Sequence, residues 1–385
     1  MKTGQTILVL GGGVGGVVAA VELRKRVSDV HRVILVDRDE RHVFWPSLLW
    51  LMMGTREAES ITRPLTALRR RGIEVIRGNV EEIDPDGKRV VIGGETITAD
   101  YIIIALGADP APERIAGLAE SGSTFCTLDG AEALRDRWRE FRGGKVVVLT
   151  AAPAYKCPAA PYEAAMLLEA DARKRRIIER TTVEIHAAEP GPMGVAGPEA
   201  SAQVRSMVES KGIGYFPGRQ VTSADPSGRS LVFGDGATTD FDLLVYVPPF
   251  QAPDVVKRAG LLGDSGWATV DRATMETRFP DVYVIGDLVG IPLKMGKLLP
   301  KAGVFAHGQA EVVAKNVSAR IAGRNADSRF DGHGECFIEA GGGKAGFGRG
   351  NFYADPVPQI KMYSPGRHWH AGKVLFEKDW LHKWF

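Results

Sequence analysis

The sequence predicts an α/β fold: two parallel-sheet units built from βαβ crossovers, followed by an amphipathic C-terminal segment. Three observations predict it. Residues 6–10 (TILVL) form a continuous apolar run that leads into Gly11, Gly13 and Gly16, the spacing G-x-G-x-x-G, and then into the helical pattern VVAAVELRKR. Two more apolar runs, YIIIALGA at 101–108 and DVYVIGD at 281–287, end at glycine, as buried parallel strands do where their carboxyl ends meet a ligand. GGKVVVLT (143–150), a turn, the helical run PYEAAMLLEADARKRR and the strand VEIHAAEP (183–190) supply a second βαβ unit.

In the first unit, the strand RVILVD ends at Asp37, 21 residues beyond Gly16. An acid at that place accepts hydrogen bonds from a ribose hydroxyl, while glycines let the backbone approach a pyrophosphate at the helix start. The unit is therefore Rossmann-like and dinucleotide-binding. The turn of the second unit, AAPAYKCPAAP, has no glycine between Thr150 and Pro161, so a nucleotide site is not expected there. The predicted domains are 1–110 with 250–329, then 111–249, then 330–385. Residues 352–385 hold eight aromatics, with Trp369, Trp380 and Trp384 among Arg367, Lys373, Lys378 and Lys383. Such a segment suits an interfacial membrane anchor, or else a helix covering a domain or a dimer interface. The RKRR run at 173–176 reads as the exposed basic end of a helix. No internal repeat is visible.

Composition removes other classes. Forty-nine basic against 47 acidic residues leave a net charge of +2, too little field for nucleic acid. The 46 glycines exceed the ordinary share of about 7%. The longest mostly apolar run, Val43 to Met53, has 11 residues, where a spanning helix needs about 20. No secretion signal is expected ahead of ILVLGGG. Three dispersed cysteines, Cys126, Cys157 and Cys336, exclude a disulfide framework and a zinc knuckle; each also reads as a small buried apolar residue. The eight histidines form no ligand pattern, and His368 and His370 are expected at the solvent, so no metal is assigned.

The order GGGVGG, IIIALGA, VYVIGD resembles the flavoproteins with two dinucleotide-binding domains, the glutathione-reductase-like fold, over nearly the whole chain. Cys157 in YKCPAAPYE, the pair Cys336-Phe337, Cys126 in FCTLDGAEAL and the tail GKVLFEKDWLHKWF are similar to sulfide:quinone oxidoreductases in particular. The resemblance implies FAD as cofactor. Gly11, Gly13, Gly15 and Gly16 would hold its pyrophosphate, Asp37 the adenosine ribose, and the backbone near Val80 the adenine. Ala105, Leu106 and Gly107 would pass close to it, Gly286 and Asp287 would meet the ribityl chain, and Lys301 and Gly303 would stand by the flavin ring. Ser47, after Pro46, matches the family's flavin loop only in part, because LLWLMM follows.

The same resemblance implies sulfide as donor and a membrane quinone as acceptor. Cys157 and Cys336 would form the redox pair and Cys126 a third family cysteine. Glu163 would carry a proton, or serve only as the first-turn acid of a helix opened by Pro161. Phe337 and Lys373 would line the quinone site. Lys156 and the helix start near Pro161 are expected to lower the Cys157 thiol pKa. The protein would be a peripheral, monotopic membrane protein, with oligomeric state open. Three alternatives stand beside this reading: the flavin subunit of a flavocytochrome c sulfide dehydrogenase, an NADH:quinone reductase, and a non-enzymatic flavin-binding redox sensor.

Overall fold

The computed structural model describes residues 4–153 and 155–385. In chain order the strands that carry the argument are β1 (Thr6–Leu10), β2 (Arg32–Asp37), β3 (Glu74–Arg77), β4 (Tyr101–Ile104), β5 (Gly144–Thr150), β6 (Thr181–Ala187) and β7 (Gly214–Pro217). They continue with β8 (Leu243–Val247), β9 (Val282–Val284), β10 (His333–Glu339), β11 (Ala345–Asn351) and β12 (Gln359–Gly366). The helices around the site are α1 (Val14–Arg26), α2 (Leu48–Met52), α3 (Ala160–Lys174), α4 (Gly303–Ile321) and α5 (Arg367–Lys383).

The first sheet is parallel, in the order β9-β4-β1-β2-β3. Its centre is the buried run Ile7 to Leu10 flanked by Ile102 to Ile104. With both faces covered, every second residue cannot be polar, which is why these strands read as unbroken apolar runs. The second sheet, β7-β6-β5-β8, is also parallel. The two units share one topology: first strand, crossover helix, second strand, third strand, an antiparallel three-stranded insertion, and a last strand that returns beside the first. The insertions are 80–98 and 221–240. The duplication that the sequence hides is plain in the fold.

After α4 comes a third, antiparallel sheet, β10-β11-β12, which leads into α5. Along α5, Lys373, Glu377, Trp380, Leu381 and Trp384 are all buried, and their spacing of three and four residues defines one helix face. Its tryptophans lie on the first unit, and Lys373 reaches Glu163 of α3. Trp380 stacks on His42 at 4.7 Å between ring centroids and lies 5.4 Å from Phe44, and Trp384 meets His307 edge-on at 5.2 Å. This corrects the expectation that the tail's tryptophans line a lipid border: two of the three are core residues, and α5 covers a domain. The apolar side chains α5 leaves exposed are Leu375 (66%) and Phe376 (44%). The 43–53 run folds as the buried helix α2 and its flanks, and among the described residues no helix is long and apolar enough to cross a membrane.

Candidate active site

The glycines of the first turn have distinct duties. Gly11 sits at φ +108°, and a Cβ there would lie 2.3 Å from the Ala105 carbonyl oxygen; at Gly16 it would lie 1.8 Å from the Gly11 carbonyl. Those two close the turn. Gly15 lets α1 pack on Ile285 and Ala306 of the neighbouring strand end and α4. At Gly13 and at Gly107 (φ +71°), a Cβ would meet no atom within 4 Å, so the bare backbone there faces open space. α1 has neither a capping side chain nor a first-turn acid, which leaves its terminal N–H groups for an anion. Asp37 accepts from the backbone N–H groups of Gly12 and Asp39, one on each oxygen, and acceptor capacity remains for a hydroxyl. Burial nevertheless pushes its carboxyl up. Val80 opens the insertion strand of the same unit.

A second station lies at the ends of β9 and α4. Gly286 (φ +78°) donates its N–H to Gln309 Oε1 at 2.7 Å. Lys301 donates to the Asp287 carbonyl at 2.6 Å and sits 3.3 Å from the Trp267 ring centroid. Burial pulls its ammonium down to about 7, against the attraction of Asp287. Gly303 opens α4, again without cap or first-turn acid. The Lys301 carbonyl accepts the Cys157 N–H at 2.7 Å, which ties the second unit's turn to this station.

Cys157 is held in the left-handed region at φ +51°. All three cysteines are thiols. The hydrogen bond between Cys157 and Cys336, followed by burial, pushes the Cys157 thiol well up, and the neighbouring Glu163 adds to the effect. Here the expectation drawn from Lys156 fails. Lys156 turns to the Asp287 carboxylate at 3.4 Å, and the cation that favours the Cys157 thiolate is Lys373. Cys336 comes from β10 opposite Gly348, and its Sγ donates to the Phe337 carbonyl at 3.1 Å. Burial lifts the Cys126 thiol to about 12, and the Cys126 carbonyl accepts from Trp45 Nε1.

Beside the pair lies a buried charged cluster. Glu163 Oε1 accepts from Lys373 Nζ at 2.9 Å and from the Glu339 N–H at 2.8 Å. Lys373 lies 3.9 Å from Glu339 Oε1, and His370 Nδ1 is 3.0 Å from the same oxygen. Burial opposes the Lys373 charge, but Glu163 and Glu339 outweigh it and raise its pKa. His370 is thus half-buried and paired with Glu339, while His368 is exposed as expected. Ser47 Oγ is fully buried and donates to Glu377, which also pairs with Arg56. Phe337 lies among Phe347, Phe376 and Gly372.

Comparison with known proteins decides the family. The pyridine nucleotide-disulphide oxidoreductase family matches residues 5–310. The chain belongs to that family. Members named by their activity are similar to nearly all of it. The sulfide-quinone reductase of Aquifex aeolicus is 29% identical, covering 98% of this chain and 90% of the relative. The mitochondrial sulfide:quinone oxidoreductase of Mus musculus is 24% identical over 92% and 80%. The solved structure of the Aquifex aeolicus sulfide:quinone oxidoreductase superposes with a TM-score of 0.90 at 27% identity, covering 99% of this chain and 91% of that one. The cofactor of this pyridine nucleotide-disulphide oxidoreductase is FAD. Its residues fit: two uncapped helix starts, the open approaches at Gly13 and Gly107, and an acid with spare acceptor capacity.

Sequence reasoning missed Glu339, His370 and Glu377, yet a signal existed. Positions 370, 373, 377, 380 and 384 repeat at helical spacing, which marks the polar members as facing inward with the tryptophans. It also missed Glu189. This residue follows β6 as Asp37 ends β2, but Glu189 accepts hydroxyls from Thr150 (2.6 Å), Tyr162 (2.6 Å) and Tyr155. The acid of the second unit is occupied by its own chain.

Proposed function

We propose that this chain oxidises sulfide at the Cys157/Cys336 pair and delivers the electrons to a quinone. The observation that supports the reading is the neighbourhood of that pair: Cys157, whose thiol is raised chiefly by the adjacent Cys336, is tied through its backbone N–H to the Lys301 carbonyl, and the Lys301 ammonium binds the Asp287 carbonyl. The names of the relatives that span the chain support the donor and the acceptor.

In this reading the pair starts each turnover as a disulfide. Hydrosulfide attacks one sulfur; the S–S bond breaks, one cysteine becomes a persulfide and the other a thiolate. Lys373 offsets the thiolate charge. FAD supplies two-electron acceptance and return. Gly11, Gly13, Gly15 and Gly16 with α1, Asp37, Val80 and the 105–107 turn hold its nucleotide end, and Gly286, Asp287, Lys301 and Gly303 its reactive end. Ser47, held by its hydrogen bond to Glu377, flanks the flavin. The balanced reaction is HS⁻ + quinone + H⁺ → S⁰ + quinol. Phe337, with Phe376 at 6.3 Å, offers the quinone an apolar approach, and the exposed Leu375 and Phe376 support an α5 surface that meets lipid. Residues 1–110 with 250–329 form the FAD domain, 111–249 the second domain, and 330–385 the quinone-facing segment.

Anaerobic sulfide added to the purified protein tests the reading. The flavin absorbance should bleach and should return when a soluble quinone is added. Persistent yellow colour with excess sulfide would exclude sulfide as donor.

A further inference from the structure

Burying three ionisable groups, Glu163, Glu339 and Lys373, in one cluster is costly, and a buried ion cluster is weak evidence for stability. The cluster beside the cysteine pair has a further property: it forms a continuous line with one wet end. His370 is 33% exposed, and its Nδ1 lies 3.0 Å and 3.1 Å from the two oxygens of Glu339, which is 1% exposed. Glu339 Oε1 lies 3.9 Å from Lys373 Nζ, and Lys373 lies 2.9 Å from Glu163 beside Cys157. Every link is a group that can hold or pass a proton. The outer three are set by β10 and α5, elements that carry neither the nucleotide turns nor β1.

We propose that His370 and Glu339 form a proton inlet that recharges Lys373 during quinone reduction. The inference rests on the sulfide:quinone reading and adds to it the source of one proton. Quinone takes two electrons and two protons to become quinol. Hydrosulfide supplies both electrons but one proton only, and that proton is released at the cysteine pair, within reach of Glu163. The second proton comes from water. Lys373 stands between the two carboxylates: the sulfide proton reaches it from Glu163, and the solvent proton through His370 and then Glu339. As the quinone oxygen gains charge it takes a proton from the Lys373 ammonium, and a protonated carboxyl restores the ammonium. Burial pushes the Glu339 carboxyl up, against the pull of Lys373 and His370, which brings it nearer to the range where it holds and releases a proton. His370 and Glu339 touch no substrate in this scheme; they act through Lys373.

The test uses full-length protein with FAD and separates the half-reactions by rapid mixing. In His370→Ala, reduction by sulfide should stay within twofold of the parent, while reoxidation by a soluble quinone should slow at least tenfold. Added imidazole should restore reoxidation in a concentration-dependent way, which a merely structural defect would not allow. Glu339→Gln should show the same slow reoxidation without imidazole rescue. A pH-indicator dye should record uptake of the solvent proton lagging behind electron transfer in both variants. If the parent does not turn over sulfide with quinone at all, the underlying reading falls, and this inference with it. If the parent turns over and His370→Ala reoxidises at the parent rate, or imidazole restores nothing, the inlet is refuted and the reaction assignment stands.

Discussion

At the scale of single residues, burial sets Lys301, Cys126 and His42, whereas neighbouring charges outweigh it at Lys373. Lys156 and the helix start near Pro161 predict an activated Cys157 thiol, but Lys156 serves Asp287, and Cys336 and burial raise the thiol. Cys157→Ser and Cys336→Ser should each abolish flavin bleaching by sulfide while FAD stays bound, as rapid mixing and the flavin spectrum will report. Cys126→Ser should bleach at a rate closer to the parent. With its thiol lifted to about 12, Cys126 should alkylate with iodoacetamide at pH 8 far more slowly than an exposed cysteine. His42 makes a separate case. It is buried against Trp380, its Nδ1 meets the Gly12 carbonyl at 2.9 Å, and burial pulls it down from 6.5 to about 4. The unfolded chain takes up a proton at this ring as pH falls below 6.5, and the folded chain does not until about 4. Stability should therefore drop by about 3 kcal/mol across that window and level off below it. Denaturant unfolding of the parent and His42→Phe at stepped pH should show a shallower slope in the variant.

At the scale of elements, α5 has two faces with two jobs. The inner face holds Trp380 and Trp384 in the core, so Trp380→Ala should cost about 3–5 kcal/mol in unfolding free energy. Removing the whole tail would uncover Phe44 and Trp50, so truncation confuses lipid binding with folding. The exposed Leu375 separates the two. Leu375→Glu alone should leave the melting temperature within about 2 °C, because that side chain is 66% exposed, yet weaken flotation with lipid vesicles. Unchanged flotation would remove the membrane role from this face. The inner face was legible in the sequence as a repeat of three and four, but lysine and glutamate within it hid it. An apolar periodicity rule discards the positions where a buried ion cluster replaces leucine.

At the scale of the whole molecule, two units of one topology have diverged at corresponding acids. Asp37 keeps acceptor capacity for a ligand, while Glu189 spends its own on Thr150, Tyr155 and Tyr162. NADH should therefore leave the flavin oxidised under conditions where sulfide bleaches it, and rapid bleaching by NADH would move the assignment to a nicotinamide-linked reductase.

What the sequence determined by itself was local in origin. Apolar runs, glycine spacings and one acid at a strand end made the first unit, its cofactor turn and the missing glycines of the second readable, because backbone approach and burial on both faces act on neighbouring residues. Tertiary structure decided what depends on partners far along the chain. Glu163 and Glu339 are 176 positions apart and share Lys373, Ser47 and Glu377 are 330 apart, and Trp380 finds His42. A buried charge is tolerable only where its counter-charge arrives, and that arrival is fixed by how β10 and α5 pack on α3 and on the first unit, not by any spacing within one segment.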